Sequence, residues 1–60
     1  MNQARIEALA AIRFFAENGR YDNVYKMLIQ ELGYDPEIAV ESALWLTEHF
    51  EHAQIWIAAN

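Results

Sequence analysis

The stretch "ENGRYDNVYKMLIQELGYDP", residues 17–36, holds both glycines and the single proline of a 60-residue chain. Asn18-Gly19 reads as a helix stop, because Gly enters the left-handed region at a helix end without a Cβ clash. Asp22 is then expected to cap a second helix, its carboxylate accepting from free backbone N–H groups. That helix is expected to run to Leu32, with Gly33 as its stop and Val24, Tyr25, Leu28, Ile29 and Leu32 on one face. Asp35-Pro36-Glu37 opens a third helix, with Asp as cap, Pro at the first helical position and Glu near the positive end of the dipole.

The flanks extend the same pattern. A first helix is predicted from about Gln3 to Glu17, with Ala4, Ala8, Leu9, Ala11, Ile12, Phe15 and Ala16 on a broad apolar arc. Arg5 falls within that arc and is expected to extend its charged end past its apolar stem. Gln3, Glu7, Arg13 and Glu17 take the opposite side. After Pro36 there is no Gly or Pro. One continuous helix from Pro36 to Ala59 would align Ile38, Ala39, Ser42, Ala43, Leu46, Phe50, Ala53, Trp56 and Ile57. A bend near Thr47–Phe50 would give two short helices, and periodicity alone does not separate the two. The expectation is an all-α bundle of about four short helices, arranged as two antiparallel hairpins, with the continuous last helix as the alternative.

From Gly19 the order Gly-x-Tyr-x-x-Val-x-x-x-Leu, closed by Pro36, resembles the second half of a tetratricopeptide repeat, a pair of antiparallel helices. Gly19 and Tyr21 match the inter-helix turn, Leu28 a large apolar position and Phe15 the aromatic position of the first helix. Ile12 and Glu31 depart from it, standing where the family prefers small residues. A partial echo, Phe50-Glu51-His52-Ala53 followed by Trp56-Ile57, repeats the spacing of Tyr21-Asp22-Asn23-Val24 and Met27-Leu28. The resemblance implies a protein–protein interaction module. A competing resemblance covers "ELGYDPEIAVESALWLTEHFEHAQIWI", which is similar to a ubiquitin-associated domain. There Leu32-Gly33-Tyr34 stands for the family's Met-Gly-Phe loop, and Ala53 with Trp56-Ile57 for its third helix. The middle helix is one residue out of register. This resemblance implies a ubiquitin binder using Gly33-Tyr34 and the last helix.

Composition narrows the function classes. Sixty residues form one small domain, which buries only ~60% of the surface its unfolded chain exposes. Disulfides, a metal or a partner usually support such folds. There is no Cys, so disulfides and thiolate zinc sites are excluded. The hydrophobic share is 55%, which points toward self-association or a partner. Charge is uneven. Arg5, Arg13, Arg20 and Lys26 all lie in the first 26 positions, which carry net +1, whereas the remainder carries six acids and no base, net −6. That acidic half argues against nucleic acid and against an anionic membrane surface. No apolar run approaches the ~20 residues of a membrane span, and no signal-like start is visible. A cytoplasmic protein is expected.

Enzymatic chemistry is not expected. There is no Gly-rich phosphate loop, and the only Ser, Ser42, sits on a predicted core face. His49 and His52, flanked by Glu48 and Glu51, are the only cluster of metal-ligand types. "EHFEH" is not the His-Glu-x-x-His motif, and it is read as a solvated polar edge, with a small metal-binding protein as an alternative function. No cofactor is expected. The candidate partner-binding residues are apolar ones outside the main core arcs. Ile6, Ala10 and Phe14 recur at four-residue intervals among charged neighbours on the first helix. Val40 and Leu44 lie on the acidic side of the third, and Trp45 borders its core arc. Contiguous apolar patches tend to mark contact surfaces. The expected function is a non-enzymatic interaction module that self-associates, as a homodimer, or docks on another protein.

Overall fold

In a computed structural model, which describes residues 3–59, the chain is all-α. Helix α1 spans Gln3–Glu17, α2 Tyr21–Gln30 and α3 Pro36–Glu48; a 3₁₀ turn over Phe50–His52 leads into a short α4, Ala53–Ala59. Ile57, placed on an apolar face by periodicity, lies outside the described side chains.

The end of α1 shows why Asn18-Gly19 stops a helix. Gly19 takes φ 68°. Its N–H donates to Ala16 O at 3.1 Å, and Arg20 N–H donates to Phe15 O at 2.8 Å. These are the two bonds of a Schellman closure, which satisfies the last carbonyls of the helix. Asn18 Nδ2 adds a bond to Phe14 O at 2.8 Å. A Cβ on Gly19 would meet nothing within 4 Å, so the cost of substitution lies in the backbone. Gly19→Ala is expected to lose about 1–2 kcal/mol of stability in chemical denaturation.

The same closure moves the start of α2. Asp22 is not the cap. Arg20 is, with no side-chain bond, and its carbonyl accepts from Val24 N–H at 3.1 Å. Because the turn already fixes Arg20, the helix begins at Tyr21, and Asp22 sits inside the first turn, where its charge still favours the dipole. The far end is also earlier than expected, at Gln30 rather than Leu32. Gly33, at φ 72°, donates to Ile29 O at 3.1 Å, and Tyr34 N–H reaches Leu28 O at 3.0 Å. The chain thereby curls over the helix end and brings Tyr34 against the core.

Asp35 caps α3 as the sequence predicts. Its Oδ1 accepts from Glu37 N–H at 3.0 Å, with Pro36 next in line. Asp35→Ala should therefore cost about 1 kcal/mol, measurable as a lower denaturation midpoint.

Helix α3 stops at Glu48 without Gly or Pro. Thr47 Oγ1 donates to Ala43 O at 2.9 Å and lies 3.1 Å from Leu44 O, a back-bond that bends helices. His49 then leaves helical geometry, at φ −125° and ψ 49°. The break turns Ala53 into the core and leaves Phe50, on the core face of a continuous helix, 48% exposed. Helix α1 packs on α2, α3, α4 and the 3₁₀ turn, and α2 packs on α3. The main helical partner of α4 is thus α1. A second hairpin, with α4 lying back along α3, is not what the packing shows, because the 3₁₀ turn redirects the chain across the bundle.

The interior is built from small side chains. Ala8, Ala16, Ala39, Ala43 and Ala53 are buried together with Leu9, Ile12, Val24, Leu28 and Leu46. Ala39 and Ala43, one turn apart on α3, let neighbouring backbones come close, and Tyr21, Tyr25, Met27, Leu32 and Trp56 close the edges. Among the described residues no charged or polar side chain is buried.

Candidate interaction surface

A core half made of alanine leaves the larger apolar side chains outside. Ile6, Phe14, Ile38, Val40, Leu44, Trp45, Phe50 and Ile55 are all exposed. On α1 the core is Ala8, Leu9, Ile12 and Ala16, so Ile6, Ala10 and Phe14, recurring every four residues, lie on the opposite face. Phe14 is 60% exposed, and its ring meets Phe15 edge-on at 5.8 Å. The stripe is bordered by Arg13 and Glu17, whose Nε and Oε1 pair at 3.1 Å across one helical turn.

On α3 the candidate residues divide. Val40 and Leu44 stand one turn apart on one flank of the buried Ala39–Ala43–Leu46 face. Trp45, about 100° further round the helix, faces the other flank and joins Trp56. Trp45, Trp56, Glu41 and Ser42 line an open groove of ≈ 430 Å³. A contiguous groove of ≈ 330 Å³ is walled by Trp45, Trp56, Ile55 and His52. Ser42 therefore borders the surface and is only partly buried.

Three apolar residues of this exterior escape a helical-wheel reading. Ile38 is 56% exposed although periodicity sets it on the core face; it stands about 100° round α3 from the centre of the buried Ala39–Ala43–Leu46 face. Phe50 is turned out by the 3₁₀ segment. Ile55, the most open at 69%, lies on α4, whose orientation follows from that turn. The signal available in the sequence was the Ile-Trp-Ile cluster in so short a terminal helix.

The histidines lie beside this groove. The 3₁₀ turn, closed by His52 N–H on His49 O at 2.9 Å, brings side chains three apart onto one side. His49 and His52 rings are 6.1 Å apart, and the Trp45 ring lies 5.5 Å from the first and 6.1 Å from the second. Glu51, rather than Glu48, completes the group, with Oε1 3.7 Å from His52 Nδ1. One ligand atom from each of His49, Glu51 and His52 lies within 4.8 Å of the others.

Comparison with protein-family models, curated proteins and solved structures finds no match. Among the described residues no helix is long and apolar enough to cross a membrane.

Proposed function

We propose that the chain is a non-enzymatic protein-interaction module whose exterior apolar surface is covered by a second copy of itself. The observation that carries this is the number of large apolar side chains on the exterior, Phe14, Trp45, Phe50, Ile38 and Ile55 among them, around a core of which half is alanine. Burying apolar area is worth roughly 25 cal/mol per Å², and a core of this composition leaves much of that area for association. Charge does not oppose a second copy as the occupant, because α1 carries Arg5 and Arg13 against Glu7 and Glu17 and is net neutral. The four bases all lie on the first two helices and the link between them, whereas the Trp45–Trp56 groove belongs to the half that carries six acids and no base. In a two-fold dimer the α1 stripe of each copy meets the acidic, tryptophan-lined groove of the other, and the contact closes on itself.

Trp45→Ala is the direct test at the groove. We expect self-association to weaken at least tenfold, about 1.4 kcal/mol, with helicity by circular dichroism unchanged. An unaltered dissociation constant would remove the groove from the interface. The tetratricopeptide-like reading draws support from the α1–Gly19–α2 hairpin, where Ile12, Val24 and Leu28 are fully buried, and under it the chain would act as a helical adaptor or assembly factor.

A ubiquitin-associated-like reading draws on a different observation: α2, the positive-φ Gly33 turn, α3 and α4 follow in the order that resemblance implies. Tyr34 packs on the core, so its substitution would confound binding with folding. Ubiquitin itself is the better probe. Titration of the ¹⁵N-labelled chain should shift Gly33 and Ile55 resonances if this reading holds, and leave the spectrum unchanged if it does not.

A further inference from the structure

Beyond protein binding, we propose that His49, Glu51 and His52 form a binding site for a first-row divalent cation of the zinc class. Two imidazoles and a carboxylate, with no thiolate in the chain, suit Zn²⁺, Ni²⁺ or Cu²⁺ rather than Cu⁺, and are too nitrogen-rich for Mg²⁺ or Ca²⁺. Three converging ligand atoms provide the protein share of a tetrahedral site with one position left to water.

The local backbone sets up this convergence. In a 3₁₀ turn residues i and i+3 eclipse, and the His52 N–H···O His49 bond of 2.9 Å holds that turn closed. The ligand atoms fall within 4.8 Å of one another, against roughly 3.4 Å between ligands around Zn²⁺ at 2.0–2.1 Å. Side-chain rotation closes the difference, and the Glu51 and His52 side chains are about half exposed, so they turn without disturbing the core. The Trp45 ring lies beside both imidazoles, 5.5 Å and 6.1 Å away. The field favours a cation too, since the chain from Met27 onward carries six acids and no Lys or Arg.

Such an ion would brace the elbow between α3 and α4. Small folds commonly rely on a metal where disulfides are lacking, and this chain has no Cys. Binding to the folded state alone then raises the melting temperature, with a stabilisation that grows logarithmically with the free ion concentration above the dissociation constant.

Isothermal titration with Zn²⁺ at pH 7.5 tests the site, with the melting temperature recorded in parallel. The expected result is one ion per chain with a dissociation constant below about 10 µM and a higher melting temperature. His49→Ala and His52→Ala should each weaken binding more than tenfold with helicity intact, whereas Glu48→Gln, outside the cluster, should leave it unchanged. Cu²⁺ should quench tryptophan fluorescence in the parent chain at one equivalent, because Trp45 adjoins the ligands, and not in the histidine variants. Absence of stoichiometric binding, or binding equally strong in both histidine variants, overturns the proposal and leaves adventitious surface association.

Discussion

Leu28→Ala is expected to remove a large share of the chain's stability. Leu28 is fully buried, in a core cluster with Ile12, Val24 and Leu46 from three different helices and with Ala39 and Ala43 of α3. Truncating such a leucine costs about 2–5 kcal/mol, from lost transfer free energy plus the cavity left behind. At ~0.05–0.15 kcal/mol per residue, a chain of this length has only about 3–9 kcal/mol in total. The alanines around Leu28 carry no rotatable side chain that could fill the space. Leu44→Ala, the same chemical change at an exposed position on α3, provides the contrast: its cost should stay below ~1 kcal/mol. Urea denaturation followed by circular dichroism separates the two. Similar midpoints for both variants would contradict the core assigned here.

The second large effect is on assembly. Ile6→Glu with Phe14→Glu should convert the proposed dimer to a monomer while leaving helicity in place. Both side chains stand on the face of α1 opposite its buried residues, so neither substitution opens the core. Two carboxylates in the stripe would then approach the acidic half of the partner copy and forfeit the burial of a phenylalanine and an isoleucine. Each apolar side chain contributes about 1.5–3 kcal/mol when fully buried, so the dissociation constant should rise at least a hundredfold, about 2.8 kcal/mol. A double variant that still dimerises with parental affinity would place the interface elsewhere.

What the sequence made legible follows from where local chemistry governs. Gly19 and Asp35-Pro36 act on their own neighbours, so the end of α1 and the start of α3 were readable from residue type. The outward face of Ile6, Ala10 and Phe14 was readable as well, since one helical period fixes it relative to Ile12 and Ala16. Asp22 misled because its capping role was pre-empted by the closure at Arg20, a bond between two elements. Ile38 and Phe50 misled because a wheel assigns a face without knowing whether a neighbour reaches it. The groove between Trp45 and Trp56 and the grouping of Glu51 with His49 and His52 depend on a break that no Gly or Pro announces. Thr47 carries the one local hint, through its bonds to the carbonyl groups of Ala43 and Leu44.

Multi-angle light scattering of the parent chain across a hundredfold concentration range tests the central claim most directly, with helicity recorded alongside. Self-association through the exposed apolar face predicts a mass of about twice 7.0 kDa at the upper concentrations, falling toward the monomer on dilution while helicity persists. A well-folded monomer at every concentration would contradict it and make the Ile6–Phe14 stripe and the Trp45 groove contact sites for a different protein.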